Sequence, residues 1–575
     1  MSLSQYMLSC IRKINESDRF FSYDAMRNTC TLMENLMREL HLKQVTTEWF
    51  PSDGITDFGG WLMPLCWNPE QAVLDLVLPD GTEQEICSFT DVPCSLMQYS
   101  RAADITAEMV LPDAEDVAGK IVFFPDHLVQ MNETLALFKR GAAGVVCAGL
   151  QSPYQGKPGF EYLDNACQWC NYQIPFWQVP ENPFGFSLSP NQGKFLMRQL
   201  RENGKVVLHA KVEAEISAGK IPVVSGLLPG ETDEEIVLTG HLFEAGANDN
   251  ASGAAEMLAT VKELSAMPRK RGIRLMFTHE CKSLQAWLNT RKSFPKMVAG
   301  LNTDMVGVSL DRTAFVGDGA PSYPTFATPL VQHFLKKHGF SAYFGQITGN
   351  DSSLCEPFFG TAILSLEFLA DPNYHNSADT PDRIDPELLE DTFQTVREYV
   401  AFLVNAGLPE AKTAAQLSRD YDLARKTDAA VANQRMRSVR SLVSVPAEQQ
   451  ELDRFLQSLQ MAESPVSITE KSEFLRGIIP VKQFRGFFAF EKFWCHAEAQ
   501  YPELSSLFSG WSAPRWVDDA MAWADGSRTA EQILNLVNAS WEKPVSAAFF
   551  SDFLRFMKEN GYVSWNTAEN ASETL

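Results

Sequence analysis

No stretch of this 575-residue chain approaches the ~18 uninterrupted apolar residues of a membrane-spanning helix, so no membrane insertion is expected. Its first residues, MSLSQYMLSCIRKINESDRFF, lack a sustained apolar core, so no signal peptide is expected either. A basic excess is also missing. Forty-nine Lys and Arg stand against 72 Asp and Glu, a net charge of −23. That balance argues against nucleic-acid or anionic-membrane binding, which needs a basic face. The 11 cysteines follow no framework spacing and read as reduced thiols of a cytoplasmic protein. Cys167 and Cys170 form a C-x-x-C without the second pair of a zinc knuckle, so they read as incidental buried thiols. No internal repeat or low-complexity tract is present.

What remains is the composition of a soluble globular protein, 45% hydrophobic and 21% charged, long enough for two to four domains. Residues 1 to about 50 carry helical spacing, as in YDAMRNTCTLMENLMREL. WLMPLCWNPEQAVLDLVLPDG then reads as strand, turn and strand. From about 105 to 215, VAGKIVFFPD, ETLALFKRGAAGVVCAGL, QIPFWQVP and KVVLHAKVEAEI suggest a compact α/β unit. From about 219, EEIVLTG, ASGAAEMLATVKELSA, GIRLMFTHE, SLQAWLNTR, MVAGLNTDMVG, PTFATPLVQHFLKKHG, TAILSLEFL and PELLEDTFQTVREYVAFLVNAG alternate strand and helix. That order predicts a doubly wound, mainly parallel (mixed) sheet with helices on both faces. Residues 411–470 read as a polar helical linker. Residues 471–575 read as a small domain, helix, helix and strand, of winged-helix type.

Ligand sites on such sheets lie beyond the carboxyl ends of the strands. The strand ends here supply His241 and Asp249 in GHLFEAGANDNASG, and His279 and Glu280 in FTHECKS. Further on come Asp304 in LNTDMVG and His375 in NYHNSADTPD, with Asp379 and Asp382 behind it. Imidazoles mixed with carboxylates suit zinc or a similar divalent ion. Asp249, among small neighbours, suits a carboxylate shared between two ions. Each piece alone has a plain structural explanation, such as a turn ending in an Asn or Ser helix cap. The four in this order favour a metal site.

GHLFEAGANDNASG, FTHE, LNTDMVG and YHNSADTPD together resemble the co-catalytic zinc aminopeptidase family, in particular its bacterial aminopeptidase-like branch. WLMPLCWNPEQAVL and GNDSSLCEPFFGTAILSLE are similar to that branch too. The resemblance spans roughly residues 1–410. It implies a zinc-exopeptidase catalytic domain of residues 1–104 and 216–410, interrupted at 105–215 by a protease-associated-like insertion. The ending is similar to a winged-helix module of some branch members. Carried over by position, the resemblance makes His241, Asp304 and His375 metal ligands and Asp249 the bridge between one or two zinc ions. The family commonly shows a Glu-Glu pair, one base and one ligand, where this chain has His279-Glu280-Cys281. Glu280 is therefore expected as general base or ligand, with His279 as base if Glu280 binds metal. Many relatives carry an aspartate two residues after the first histidine. Here that position is Phe243, so Glu244 or another nearby group is expected to orient His241.

The expected activity is hydrolysis of an N-terminal peptide or aminoacyl-amide bond by metal-activated water. Two alternatives stay open. One is a single-zinc amide hydrolase or a glutaminyl-cyclase-like enzyme. The other is a catalytically degenerate peptidase fold used as a binding scaffold, with the C-terminal module docking a protein partner or a second copy.

Overall fold

The computed structural model describes residues 2–171, 174, 183–319, 322–346, 351–463, 471–494, 497, 499–510, 512–541 and 543–567. Its centre is an eight-stranded mixed sheet. Across it run Lys43–Ser52, Gly219–Leu228, Gly272–His279, Glu234–Leu242, Lys296–Asp304, Ser365–Glu367, Thr313–Asp318 and Ser341–Gln346. Four ladders are parallel and three antiparallel. The four middle strands are mutually parallel, the fourth parallel ladder joins Thr313–Asp318 to Ser341–Gln346 at one edge, and Glu234–Leu242 is buried along its whole length. A strand covered on both faces reads as a continuous apolar run, as EEIVLTGHL does. The Thr313–Asp318 and Ser341–Gln346 strands fall outside the segments read as strands from sequence. TAILSLEFL contributes only Ser365–Glu367.

Amphipathic helices cover the sheet. Ala251–Leu264 packs on the N-terminal helix Leu3–Asp18 and on Pro386–Asn405. Arg271, fully buried, ties the foot of the sheet to later helices. Its guanidinium donates to Glu234 Oε2 at 2.8 Å and to the carbonyls of Leu403, Ala406 and Leu442.

A second sheet of seven strands is built from Glu83–Ser88, Cys66–Val77, Val207–Ser217, Ala103–Val110, Ile121–Phe124, Gly144–Cys147 and Gly185–Ser187. It begins at Cys66 rather than near residue 105. Val207–Ser217 pairs along the full length of Cys66–Val77, so the earlier strand is drawn into this unit. The strand expected in QIPFWQVP lies, apart from Ile174, outside the described residues.

One apolar core runs from the N-terminal helices through both sheets. It takes in Ala411, Ala414, Met436 and Leu452 of the helices that follow residue 407. A second cluster, from Leu475 to Val563, holds the C-terminal helices Arg515–Trp523, Ala530–Ser540 and Ala547–Glu559 against a two-stranded ribbon, Ile478–Lys482 with Val563–Thr567. That unit is fastened to the main body. Trp61 Nε1 donates to the Phe487 carbonyl at 3.0 Å, and Ala489 N to the Gly59 carbonyl at 2.9 Å. No helix among the described residues is long and apolar enough to cross a membrane.

Candidate metal centre

His241 sits at the end of the central strand, and the loop after it is held by three side chains from outside it. Asn15 Nδ2 of the first helix donates to the Ala245 carbonyl at 2.5 Å. Asp18, from the same helix, accepts the Phe243 amide at 2.8 Å, which fixes Phe243 at φ +74°. Burial pushes the Asp18 carboxyl up to about 7. Asp379 receives the amides of Asn248 at 2.8 Å and Asp249 at 3.1 Å. Gly246 is required there, because a Cβ would lie 2.4 Å from Asp379 Oδ2. Asn250 then caps the helix Ala251–Leu264, accepting from Gly253 N at 3.1 Å. A Cβ on Gly253 would meet the Thr303 carbonyl at 2.3 Å, so this glycine lets the helix start against the neighbouring strand. The small residues of GANDNASG thus make a capped turn and also place Asp249.

The buried Asp249 carboxylate lies between two imidazoles. Oδ1 is 3.0 Å from His241 Nε2, and Oδ2 is 3.1 Å from His375 Nε2. Glu244 Oε2 lies 3.7 Å and Asp304 Oδ1 4.0 Å from the same His241 nitrogen. His241, Glu244 and Asp249 each present a ligand atom within 4.8 Å of the other two, and all three are buried. Four residues expected as ligands, His241, Asp249, Asp304 and His375, therefore come together. Glu244, expected only to orient His241, joins them on the Nε2 side. Glu280 and His279 line a small cavity next to Glu244. His279 Nε2 stands 3.4 Å from Tyr23 Oη.

Asp351 holds the other side of His241, its Oδ2 3.1 Å from Nδ1, and accepts a hydrogen bond from Thr278 Oγ1. Sequence reasoning named Glu244 or another nearby group for this role, without placing that other group. The partner comes from 110 positions away, on a segment without metal-site spacing. Its only signal was the asparagine-aspartate-serine run inside a stretch already matched to the aminopeptidase-like branch.

His375 is set by the second sheet's unit. Trp169 N and Gln168 Nε2 donate to the His375 carbonyl at 2.6 and 2.7 Å. Ser377 N donates to the Cys167 carbonyl at 2.9 Å, and the Trp169 ring packs edge-on against the imidazole at 4.6 Å. Cys167 and Cys170 are free and buried. Their segment serves as a strap on His375.

The electrostatics are those of a buried anionic cluster. Burial, then Asp249, raises Glu244 well above the ordinary carboxylate range. Burial raises Asp304 likewise, with Asp249, Glu367 and Glu280 adding to it. Burial raises Glu280 as well, Asp351 and Asp249 reinforcing it. Burial opposes a charged His241, yet Asp304, Glu244, Asp249 and Asp351 together lift it well above its usual value. Burial also works against Asp249, but the two histidines bring it below its usual range. His279 is the exception: burial and Lys282 lower it to about 4, so it stays neutral near pH 7. Asp304 Oδ1 is buried without a hydrogen-bond partner. An orphaned carboxylate oxygen, two imidazoles and several repelling carboxylates fit a divalent cation.

A family model described as a domain of unknown function (DUF4910) matches residues 12–406. The chain belongs to that family. No curated protein matches the sequence. Among solved structures, this DUF4910 chain is similar to the zinc aminopeptidase BSAP of Bacillus subtilis, at 16% identity and a TM-score of 0.51, covering 70% of this chain and 95% of that one. It is equally similar to a peptidase M28 precursor of Shewanella amazonensis SB2B, at 16% identity and a TM-score of 0.50, with the same coverage. At such identity the likeness establishes the fold: a mixed α/β architecture of zinc-aminopeptidase type.

Proposed function

We propose that the protein is a metal-dependent exopeptidase of aminopeptidase type, acting on an N-terminal peptide or aminoacyl-amide bond. The observation that carries this is the Asp249 carboxylate set between His241 Nε2 and His375 Nε2, with Glu244 and Asp304 close by. His241, Asp249, Asp304 and His375 would hold one or two zinc ions, with Glu244 and Glu280 as further candidate ligands. Zinc in such a site polarises a carbonyl and makes water acidic near neutral pH. The chain's own part is to position and to move protons. Asp351 fixes the His241 ring through Nδ1. Glu280, lining the cavity next to Glu244, takes a proton from the attacking water and returns it to the leaving amine. Should Glu280 bind metal, neutral His279 takes that role.

In this reading the second sheet's unit is a protease-associated-like insertion. Residues 471–575 form a winged-helix-like module that covers the active face and can dock a protein partner or a second copy. The protein works in the cytoplasm.

Zinc analysis of the purified chain beside an aminoacyl-nitroanilide panel tests the proposal. Expected are one or two bound ions and cleavage that stops on chelation. A chain with no zinc affinity, or with zinc far from His241 and Asp249 by anomalous scattering, overturns it. A second reading, a peptidase fold kept as a scaffold, is favoured by the single carboxylate of His279-Glu280-Cys281. Bound zinc without any cleavage by wild type would select it.

A further inference from the structure

We propose that the C-terminal unit is a working part of the metal centre: it grips Glu356 through Lys482 and the Gly486 amide, holds the segment that carries Asp351, and so sets the His241 ring. This rests on the metal-site reading above. Asp351 and Glu356 are the two ends of one short buried run. Asp351, Ser352, Ser353, Leu354, Cys355 and Glu356 are each at most 6% exposed. Ser353–Cys355 forms a single 3-10 turn between the ends. A close-packed run of this length has little slack, so a displacement at one end is passed to the other.

Each end is held by a different body. At Asp351 the partners are His241 Nδ1, 3.1 Å away, and Thr278 Oγ1. At Glu356 both carboxylate oxygens are taken by the C-terminal unit. Oε1 accepts the Gly486 amide at 2.8 Å, and Oε2 pairs with Lys482 Nζ. Lys482 Nζ also donates to the Gly486 carbonyl at 2.7 Å, which ties the three groups into one clamp. Lys482 ends the ribbon strand Ile478–Lys482, and its amide donates to the Ala524 carbonyl at 2.8 Å. The clamp is therefore anchored in the C-terminal fold.

The middle of the run is held through the helix Lys282–Thr290. Ser353 Oγ accepts from Gln285 Nε2 at 3.1 Å. Gly486 lies directly on Gln285: a Cβ there would stand 2.2 Å from Gln285 Oε1, and φ is +82°, so only glycine fits. Four residues along the helix, Asn289 Oδ1 accepts the Arg485 amide at 2.8 Å and Nδ2 donates to the Arg485 carbonyl at 3.0 Å. At the start of the helix Lys282 pairs with the buried Glu491. Residues 482–491 thus touch this helix at three places as well as Glu356. Glu356 and Lys482 are positioning residues that act through Asp351. Their side chains are only 6% and 12% exposed, so removing either partner strands a charge and releases the grip on the segment.

The test uses the full chain with zinc as the probe. Competition with a chelator measures zinc affinity. NMR of the metal-free, histidine-labelled chain follows the His241 Nδ1–H proton, which its hydrogen bond to Asp351 moves far downfield. Lys482→Met and Glu356→Gln should each weaken zinc binding about tenfold, the lower end for groups that orient a ligand, and move the His241 signal. Glu356→Gln keeps the shape and the Gly486 hydrogen bond, so it carries the test if Lys482→Met does not fold. The two losses should not add in the double variant, because the pair acts as one unit. Lys482→Arg should recover wild-type affinity. Lys492→Met breaks a different ion pair between the same two bodies, Lys492 with Asp57 at 2.7 Å, and should lower the melting temperature alone. Zinc affinity within twofold of wild type in both Lys482→Met and Glu356→Gln overturns the proposal. So does an equal loss in Lys492→Met, which would mean general loosening. Wild type without zinc affinity defeats the metal-site reading instead. The His241 signal then decides the proposal, which falls if Lys482→Met and Glu356→Gln leave that signal unmoved.

Discussion

Asp351→Asn isolates what holds His241 in place. The carboxylate is fully buried, 3.1 Å from His241 Nδ1, and accepts from Thr278 Oγ1. Asparagine keeps the shape. It removes the charge that favours a proton on Nδ1 and so leaves Nε2 free to face a metal. Groups in this position typically contribute 10–100-fold in metal affinity, which is about 1.4–2.7 kcal/mol. Thr278→Val should have a smaller effect, since it leaves the Asp351–His241 contact and removes one hydrogen bond of about 1 kcal/mol. The measurement is zinc affinity by competition with a chromophoric chelator, at fixed pH, on samples with matching circular dichroism. The expected order of affinity is wild type, then Thr278→Val, then Asp351→Asn, with His241→Ala weakest. An Asp351→Asn protein that binds zinc within twofold of wild type would refute the argument. His241 would then be oriented by packing alone.

Glu280→Gln should lower turnover by about 10²–10⁴-fold while zinc content stays constant. Loss of zinc with activity would make Glu280 a ligand and shift the base role to His279, for which His279→Ala is the matched control. Truncation before residue 471 should leave a folded, zinc-binding core that melts earlier, because Lys282 loses Glu491 and Trp61 Nε1 loses the Phe487 carbonyl. Recovery of only aggregated chain would show that the tail is integral to the main core. His209 joins three strands of the second sheet through Asp104 and Glu83, both at 2.8 Å, and its pKa is raised chiefly by Asp104 and then by Glu83 against some burial. A raised histidine stabilises the fold fully below its unfolded pKa of about 6.5, and the effect fades as pH rises through the higher folded value. NMR titration should place His209 above 6.5; a value at or below that contradicts the pairing.

Much of the centre was legible because a doubly wound sheet delivers its chemistry at strand ends. His241, Asp304 and the Asp249 loop each follow an apolar run that could only be a buried strand. His375 was read by the same rule, after the run TAILSLEFL; in the fold it is also held by Gln168 and Trp169 of another unit. Asp351 was not legible as a partner, since nothing in a single sequence couples positions 241 and 351. Glu244 was read as a support for His241, because spacing along a loop does not say which imidazole nitrogen a carboxylate faces. The edges of the large sheet were missed for a different reason. TAFVGD and SAYFGQ are short, lie in antiparallel or outermost positions, and lack the long apolar signature of the middle strands. The second sheet's early start was hidden by distance, as Cys66–Val77 finds its partner strand more than a hundred residues later.

The strap from Gln168 and Trp169 to the His375 carbonyl has a consequence for portability. The eight-stranded sheet and its helices, excised and joined across the second sheet's unit by a short linker, would keep His241, Glu244, Asp249, Asp304 and His375. They would still lose both donors to that carbonyl and the indole against the imidazole, at a residue whose backbone sits at φ +53°. Transplanting the centre into another scaffold, or minimising it, therefore has to carry the Cys167–Cys170 segment along.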